Sequence, residues 1–256
     1  MDFTNKIVLI TGGTSGIGKA VAKEFAKIGA IVIALTVDQK EKAEAAIKEI
    51  GHKAKYIYCD VSNEKQVCDA INTVVKKYGK IDCAFNNAGI GPDGIRMPYQ
   101  SLTEVVEKTW DVVVDINMKG VFLCLKYELK QMQKQGFGSI VNTSSIGGYK
   151  MATGFGAYGP SKAAVLALTE LAALENAQYG IRVNVICPGP TKEIELTKNT
   201  LASNPKQEQM LTEHVIPMKK LASVKEVSNA VLWLCSDLSS HTTGQKIFID
   251  GGMHIA

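Results

Sequence analysis

The strongest constraint on this chain is an alternation of short apolar runs, rich in β-branched residues, with longer segments of helical period. The seven apolar runs are residues 7–10, 31–35, 56–59, 81–86, 139–143, 182–187 and 246–249. Strands that are apolar throughout are buried on both faces, and the segments between the runs are long enough to form helical crossovers. We therefore predict an α/β fold with a seven-stranded parallel sheet.

Six segments of helical period lie between these runs, at residues 18–28, 41–49, 64–78, 102–133, 157–179 and 225–235. Several end near glycines that fit helix C-caps. The alternation continues from residue 7 to residue 250 without a Pro- or Ser-rich linker, which predicts one domain over residues 1–256. The polar stretch 188–221, which holds Pro188, Pro190, Pro205 and Pro217, interrupts it. We interpret this stretch as a substrate-covering lid; the alternative is a surface insertion without a role.

Composition and charge exclude several functional classes. The 256 residues are 46% hydrophobic and 21% charged, as in a folded chain rather than a disordered one. The net charge of +4 is spread without a basic cluster, so neither nucleic acid nor anionic lipid is an expected partner. No apolar stretch approaches the roughly 20 residues of a membrane span, and the first residues lack a signal-peptide pattern, so we expect a cytoplasmic location without a membrane partner. The six Cys and four His lack metal-ligand spacing, which predicts reduced core cysteines and no metal.

A glycine-rich turn follows the first apolar run and opens a helix, with the sequence Thr11-Gly-Gly-Thr-Ser-Gly-Ile-Gly18. Such glycines permit a tight turn and a close approach of the backbone, while the helix N–H groups face a pyrophosphate. The turn therefore predicts a dinucleotide site, and a purely structural turn is the alternative. The spacing from Gly13 to Lys19 also fits the phosphate loop of an NTPase, but Ala20 lacks the hydroxyl that such a loop places on Mg²⁺.

Tyr158 and Lys162 stand four residues apart, which places a phenol and an ammonium on one face of a helix. We expect the cation to favour the phenolate; a shift of the tyrosine pKa from about 10 to near 7 needs roughly 4 kcal/mol. Such a tyrosine exchanges a proton near neutral pH. Pro160 is tolerated in a first helical turn, so the helix is predicted to begin between residues 155 and 158. Taken alone, this pair more often represents a surface lysine beside a packed tyrosine.

The pair is accompanied by Asn86-Asn-Ala-Gly89 at the end of one run, Asn117 in Asn-Met-Lys-Gly, and Ser144-Ser145 at the end of another. Together with the glycine-rich turn, these motifs resemble the short-chain dehydrogenase/reductase family over about residues 6 to 252. The resemblance implies a doubly wound Rossmann-like sheet of order 3-2-1-4-5-6-7 with helices on both faces. It also implies hydride transfer between a nicotinamide cofactor and a secondary alcohol or ketone, and a homotetramer.

The resemblance also implies the role of each catalytic residue. Tyr158 would be the acid/base, and Lys162 would hold the nicotinamide ribose and lower the pKa of the phenol. Ser145, 13 residues before Tyr158, would bind the substrate oxygen in preference to Ser144, and Asn117 would anchor a water that leads protons to Lys162. Hydroxyl donors of this kind stabilise charge that develops on an oxygen during hydride transfer.

Cofactor contacts are implied along the whole chain. They are Gly12, Ser15, Gly16, Ile17 and Gly18 at the pyrophosphate, Thr36 and Asp38 at the adenosine ribose, Asp60 and Val61 at the adenine, Asn87, Ala88 and Gly89 with Tyr158 and Lys162 at the nicotinamide ribose, and Pro188, Gly189 and Thr191 at the nicotinamide amide.

The choice between NAD and NADP depends on the end of the second run. Asp38 can accept from a ribose hydroxyl or cap the next helix, and Ser15 stands where NADP-using relatives commonly carry Arg or Lys. We therefore expect NAD, with NADP not excluded. Glu193 replaces a Thr that the family often has there, which puts the lid contacts in doubt.

Three alternatives to a general alcohol dehydrogenase stay open: a 3-oxoacyl thioester reductase of the same family, a non-catalytic dinucleotide-binding regulator, and an NTPase. Apolar side chains on two helices form either an oligomer interface or the core of one subunit. They are Val121, Phe122, Leu125, Val165, Leu168, Ala172 and Ala173.

Overall fold

The apolar runs form one sheet in the computed structural model, which describes residues 1–204 and 206–256. The strands are β1 (Ile7–Thr11), β2 (Ile31–Thr36), β3 (Lys55–Tyr58), β4 (Cys83–Asn86), β5 (Gly138–Thr143), β6 (Ile181–Pro188) and β7 (Lys246–Ile249). All six pairings are parallel, and the order is β3-β2-β1-β4-β5-β6-β7. The predicted seven-stranded sheet and its order are confirmed.

Ten α-helices accompany the sheet in the described part of the chain. They are α1 (Gly16–Lys27), α2 (Lys40–Ile50), α3 (Glu64–Tyr78), α4 (Glu107–Val114), α5 (Gly120–Gln135), α6 (Ile146–Tyr149), α7 (Tyr158–Asn176), α8 (Glu195–Ser203), α9 (Gln207–Met210) and α10 (Val224–Cys235).

The core has two layers because both faces of the sheet are apolar. In β1, Ile7 and Leu9 point to the layer of α3, α5 and α7, whereas Val8 and Ile10 point to the layer of α1 and α10. Each strand side chain alternates between these layers, which is the physical reason for continuous apolar runs. The predicted placement of helices on both faces is confirmed.

The predicted helix over residues 102–133 is the main departure. Helix α4 begins only at Glu107, and a π-helical turn, Asp115–Lys119, separates it from α5. The apolar period predicts one continuous helix because single π-turns are rare, and the interruption is not recognised from the sequence. The first helix also begins two residues earlier than predicted, at Gly16. Helix α7 begins at Tyr158, so Pro160 does lie in its first turn.

Residues 188–221, the predicted lid, contain α8, α9 and a π-helical turn at Leu211–Val215. Pro205 lies outside the described residues. Among the described helices, none has the length and apolar character needed to cross a membrane. All six cysteines are unpaired, and all except Cys68 are buried.

Candidate active site

The sheet order creates a crevice at the carboxyl ends of β1 and β4. These two strands are neighbours although they are not consecutive, and their connections leave in opposite directions. Ligands of doubly wound folds bind at such a switch point. Thr11, the last residue of β1, accepts hydrogen bonds through Oγ1 from the backbone N–H groups of Asn87 (2.9 Å) and Ala88 (3.0 Å). The glycine-rich turn and the segment after β4 are thereby joined.

Steric limits explain the glycines of this turn. Gly12 has a φ of 64°, in the left-handed region. A Cβ on Gly18 would lie 2.2 Å from the carbonyl oxygen of Gly12, so no side chain fits there. Ser15 and Gly16 are exposed at the start of α1, and the Ser15 hydroxyl makes no capping hydrogen bond. The open turn and the helix N-terminus fit a pyrophosphate.

The end of β2 carries a carboxylate held by hydroxyls. Thr14 donates to Asp38 Oδ2 at 2.7 Å, and its Oγ1 lies 2.8 Å from that of the buried Thr36. Lys42 Nζ lies 2.7 Å from Asp38 Oδ1. Burial opposes ionisation of Asp38, but the hydrogen bonds from Lys42 and Thr14 hold its pKa below the usual value. The N-cap of α2 is Gln39, so the structure does not use Asp38 as that cap.

The segment after β3 is a tight turn. Asp60 Oδ1 accepts from the backbone N–H (2.9 Å) and hydroxyl (2.7 Å) of Ser62. Val61 is buried, and a Cβ on Gly120 would lie 2.8 Å from its Cγ2. Asp60 therefore has a structural task in the turn, in addition to any contact with an adenine.

Tyr158, Lys162 and Asn117 converge at the carboxyl edge of the sheet. Lys162 Nζ lies 5.9 Å from the centre of the Tyr158 ring and donates to the carbonyl of Thr143 at 2.9 Å. A Cβ on Gly89 would lie 3.1 Å from both Lys162 Nζ and Asn117 Oδ1. The absence of a side chain at Gly89 thus opens the space between the lysine and the asparagine.

The π-helical turn positions Asn117, which is fully buried. Its Nδ2 donates to the carbonyl of Ile90 (2.8 Å) and to Ser161 Oγ (3.1 Å), and its Oδ1 accepts from the Ile90 N–H (2.8 Å). The side chain therefore joins α7 to the segment after β4. Both Nδ2 hydrogens are used in these contacts, whereas Oδ1 has a second lone pair that can accept a further hydrogen bond.

Burial dominates the titration of the tyrosine and the lysine. It raises the pKa of Tyr158, and the hydrogen bond with the Ser145 hydroxyl opposes this shift only in part. It lowers the pKa of Lys162, which is 4% exposed, to about 8. The net shift of the Tyr158 pKa is upward here, with Lys162 Nζ 5.9 Å from the ring centre, so a lowering of that pKa by Lys162 stays a prediction for the enzyme with its cofactor bound. The phenol is protonated at neutral pH.

The two serines after β5 have different surroundings. Ser144 is buried, and its hydroxyl donates to the carbonyl of Lys162 at 2.7 Å. Ser145 is partly exposed, accepts from the N–H of Gly147 at 3.1 Å, and lies close enough to Tyr158 for its hydroxyl to lower the pKa of the phenol. The geometry therefore favours Ser145 over Ser144 as the hydroxyl that acts beside the phenol.

The segment after β6 folds back toward the glycine-rich turn. Gly189 donates to the carbonyl of Ile249 at 3.0 Å, and the buried Thr191 donates to the carbonyl of Gly189, also at 3.0 Å. A Cβ on Gly16 would lie 3.8 Å from Ile194 Cγ2. This contact brings the start of α8 beside the open end of the turn.

Glu193 has a structural role. Its φ is 67°, and its carboxylate accepts from the N–H of Val224 at the first position of α10, at 3.2 Å. The residue that departs from the family pattern therefore stabilises the start of a helix.

Comparisons with known proteins give the family. The profile described as enoyl-(acyl carrier protein) reductase matches residues 12–254. An A-factor type gamma-butyrolactone 1'-reductase (1S-forming) of Streptomyces virginiae is 38% identical over 256 residues, covering 98% of this chain and 96% of that protein. A 3-oxoacyl-(acyl-carrier-protein) reductase of Staphylococcus epidermidis is 36% identical over 254 residues, covering 98% of this chain and 100% of that protein.

Among solved structures, NAD⁺-bound xylitol dehydrogenase has a TM-score of 0.90 at 33% identity, covering 98% of this chain and 100% of that one. The chain belongs to the short-chain dehydrogenase/reductase family. As a member of that family it is an NAD(P)-dependent oxidoreductase. The alternatives of a non-catalytic regulator and an NTPase are not supported by these relatives, which are reductases and dehydrogenases.

The sequence places the substrate pocket of this short-chain dehydrogenase/reductase only broadly, between residues 91–99, 147–155 and 188–221, without a role for any single residue of these segments. A Cβ on Gly91 would lie 2.8 Å from Tyr158 Cε2 and 3.3 Å from Leu196 Cδ1, so α8 and the segment after β4 both border the phenol. Phe155 meets the Tyr158 ring edge-on at 5.7 Å. Lys42 could have been found because it lies four residues after Asp38, in the first turn of a predicted helix, whereas no local pattern indicated Gly91 or Leu196.

Proposed function

We propose that this enzyme transfers a hydride between NAD and the carbinol carbon of a secondary alcohol or its ketone, with Tyr158 as the acid/base. The observation that carries the proposal is the convergence of Tyr158, Ser145 and Lys162 at the segment after β4, which Thr11 joins to the glycine-rich turn. The nicotinamide, when bound, supplies the hydride for reduction or accepts it for oxidation. Ketone, hydride and one proton together give the alcohol.

In this proposal the side chains of Tyr158 and Lys162 supply the proton that the ketone oxygen takes up. In reduction, Tyr158 gives its phenolic proton to the carbonyl oxygen, because burial keeps the phenol protonated. The Ser145 hydroxyl donates a hydrogen bond to the same oxygen. Lys162, with a pKa lowered to about 8, is an ammonium near neutral pH and can return a proton to the phenolate. Asn117 holds Ile90 and Ser161 in place and would anchor the water that leads to Lys162.

Substitution of the phenol tests the proposal. Tyr158→Phe is expected to lower kcat by about 10²- to 10⁴-fold, as for loss of a general acid, while the variant still binds the cofactor. Turnover is followed by nicotinamide absorbance against a panel of alcohols and ketones with both cofactors. Tyr149→Phe, on α6 with 53% exposure, is the matched control. An unchanged rate in Tyr158→Phe would exclude the mechanism.

The preference for NAD is supported by Asp38, whose ionised carboxylate repels a 2′-phosphate and can accept from ribose hydroxyls. Asp38→Ala is expected to raise the KM for NAD by about 10-fold or more, the usual effect of losing a charged hydrogen bond, without raising the KM for NADP. Lys42→Ala leaves the carboxylate in place and serves as the control. Equal changes in both KM values for Asp38→Ala would contradict the preference.

A 3-oxoacyl thioester reductase is the second candidate, favoured by the 36% identity to the Staphylococcus epidermidis enzyme. The substrate panel therefore includes a 3-oxoacyl thioester. A kcat/KM for that thioester far above the value for simple ketones would favour this candidate.

We further propose a homotetramer in the cytoplasm, with residues 188–221 as a lid over the substrate. Five of the seven apolar residues considered for an interface are buried within the subunit, and Leu168 is partly buried. The oligomer is supported instead by apolar side chains of α5 and α7 that are exposed. These are Phe122 (47% exposed), Leu171 (52%) and Leu174 (80%). The unpaired cysteines support a reducing compartment. Light scattering measures the oligomer, and a monomer at micromolar concentration would exclude it.

A further inference from the structure

Asp93, in the segment between β4 and α4, is a fully buried carboxylate outside the residues assigned above. Within its own segment it accepts from the N–H groups of Ile95 (3.0 Å), Arg96 (2.7 Å) and Met97 (3.2 Å) and from Arg96 Nε (2.7 Å). A fifth donor, Asn199 Nδ2 at 2.8 Å, comes from α8. Burial opposes ionisation, but the hydrogen bonds from Asn199 and Arg96 hold the Asp93 pKa well below its usual value. Asp93 is therefore ionised throughout the neutral pH range.

Other contacts follow the same seam between the segment after β4 and α8. Tyr99 and Thr200 share a hydrogen bond of 2.9 Å between their hydroxyl oxygens. Arg96 Nη1 lies 3.1 Å from Glu195 Oε2, but both side chains are more than half exposed. An exposed ion pair contributes little, so the buried bond to Asp93 is the strongest polar link of the seam.

Helix α8 is attached by both apolar and polar side chains, but its two buried residues, Thr197 and Thr200, are polar. Its Leu201 is partly buried and packs against the small cluster of residues 211, 216 and 221. A helix with few buried apolar side chains opens at lower free energy than a helix on the main core. The position of α8 therefore depends on side-chain hydrogen bonds as well as on this limited packing.

The same helix and the residue before it border both Tyr158 and the glycine-rich turn. Its residue Leu196 lies beside Gly91 and Tyr158, and Ile194, just before it, lies beside Gly16. A displacement of α8 away from the segment after β4 would uncover the phenol and widen the cleft. The hydrogen bond between Asp93 and α8 thus sets the distance between α8 and the segment after β4, which both border Tyr158.

We propose that Asp93 is a positioning residue that, through Asn199, holds α8 against the segment after β4 and keeps the substrate cleft closed around Tyr158. The inference rests on the proposed function, because it assumes that Tyr158 is the reacting group. Asp93 does not touch the reacting atoms in this arrangement. Its loss is expected to weaken substrate binding rather than to slow proton transfer.

Asn199→Ala is the decisive variant, because it removes the donor on α8 while the bonds of Asp93 within its own segment remain. The KM for the ketone is expected to rise about 10- to 100-fold, the range for loss of a hydrogen bond to a buried charge, with kcat within about threefold of wild type. Asn199→Asp places a second carboxylate against Asp93 and is expected to raise KM further. Lys198→Ala, on an exposed neighbouring position of α8, is the control and is expected to leave KM unchanged.

Hydrogen exchange gives a readout that does not depend on turnover. The amides of residues 195–203 are expected to exchange at least about 10-fold faster in Asn199→Ala than in Lys198→Ala, with unchanged exchange in the strands. Equal exchange in the two variants would overturn the inference, as would a fall in kcat with KM unchanged. A wild-type enzyme that reduces no ketone would refute the proposed function instead, and exchange alone would then decide whether Asp93 holds α8.

Discussion

Glu128 offers a quantitative test of how the buried core affects stability. It lies on α5 and is fully buried, and its Oε2 accepts from Asn86 Nδ2 at 2.9 Å. The same Nδ2 donates to Asn142 Oδ1 at 3.0 Å, whereas Glu128 Oε1 is buried without a protein partner. Burial raises the pKa of Glu128 from 4.5 to about 7, although the hydrogen bond from Asn86 lowers it. We predict that Glu128→Gln, which resembles the protonated acid, stabilises the protein at alkaline pH.

The magnitude follows from linkage. A folded-state pKa raised above the unfolded value adds stability that is complete below about pH 4.5 and is lost as the pH rises through about 7. The full shift corresponds to about 3 kcal/mol at 1.36 kcal/mol per pKa unit. Between about pH 5.5 and about pH 8, the wild type should lose about 2 kcal/mol of unfolding free energy relative to the glutamine variant.

Urea unfolding at both pH values and at one protein concentration measures this difference. Glu175→Gln, an exposed position on α7, is the matched control and is expected to show no pH-dependent difference from wild type. The reasoning is refuted if the advantage of Glu128→Gln is the same at both pH values, or if it is larger at the lower one.

Two further predictions concern local geometry. Gly18→Ala places a Cβ 2.2 Å from the carbonyl oxygen of Gly12, so we expect loss of dinucleotide binding, measured by fluorescence titration with NADH; wild-type affinity would contradict the steric argument. Ser223→Ala removes a capping box in which Ser223 Oγ accepts from the Glu226 N–H at 3.2 Å and Glu226 accepts from the Ser223 N–H at 2.8 Å. It should cost about 1 kcal/mol of unfolding free energy in a denaturant titration, and no loss would show that the cap does not stabilise α10.

The sequence alone determined the strands of the sheet and the family motifs, and the resemblance carried by those motifs implied the strand order. A strand that is covered by helices on both faces is apolar at every position. Such a continuous run of β-branched residues can be recognised in the sequence without coordinates. Two other patterns are equally local. The glycines of residues 12–18 lie within one turn of the backbone, and Tyr158 and Lys162 lie within about one turn of a helix. These short-range patterns predicted a dinucleotide site and a Tyr-Lys pair, and their resemblance to the short-chain dehydrogenase/reductase family implied the reaction.

Only the tertiary structure decided how the groups of the site behave. The π-helical turn that positions Asn117 is stabilised by contacts to Ile90 and Ser161, which lie 27 and 44 residues away in the chain. The raised pKa of Tyr158 comes from burial by segments far apart in sequence, an effect that the spacing to the nearby lysine does not contain. The bond between Asp93 and Asn199 spans 106 residues. Hydration and hydrogen bonding depend on everything that surrounds a group in space, and a local pattern does not contain that information.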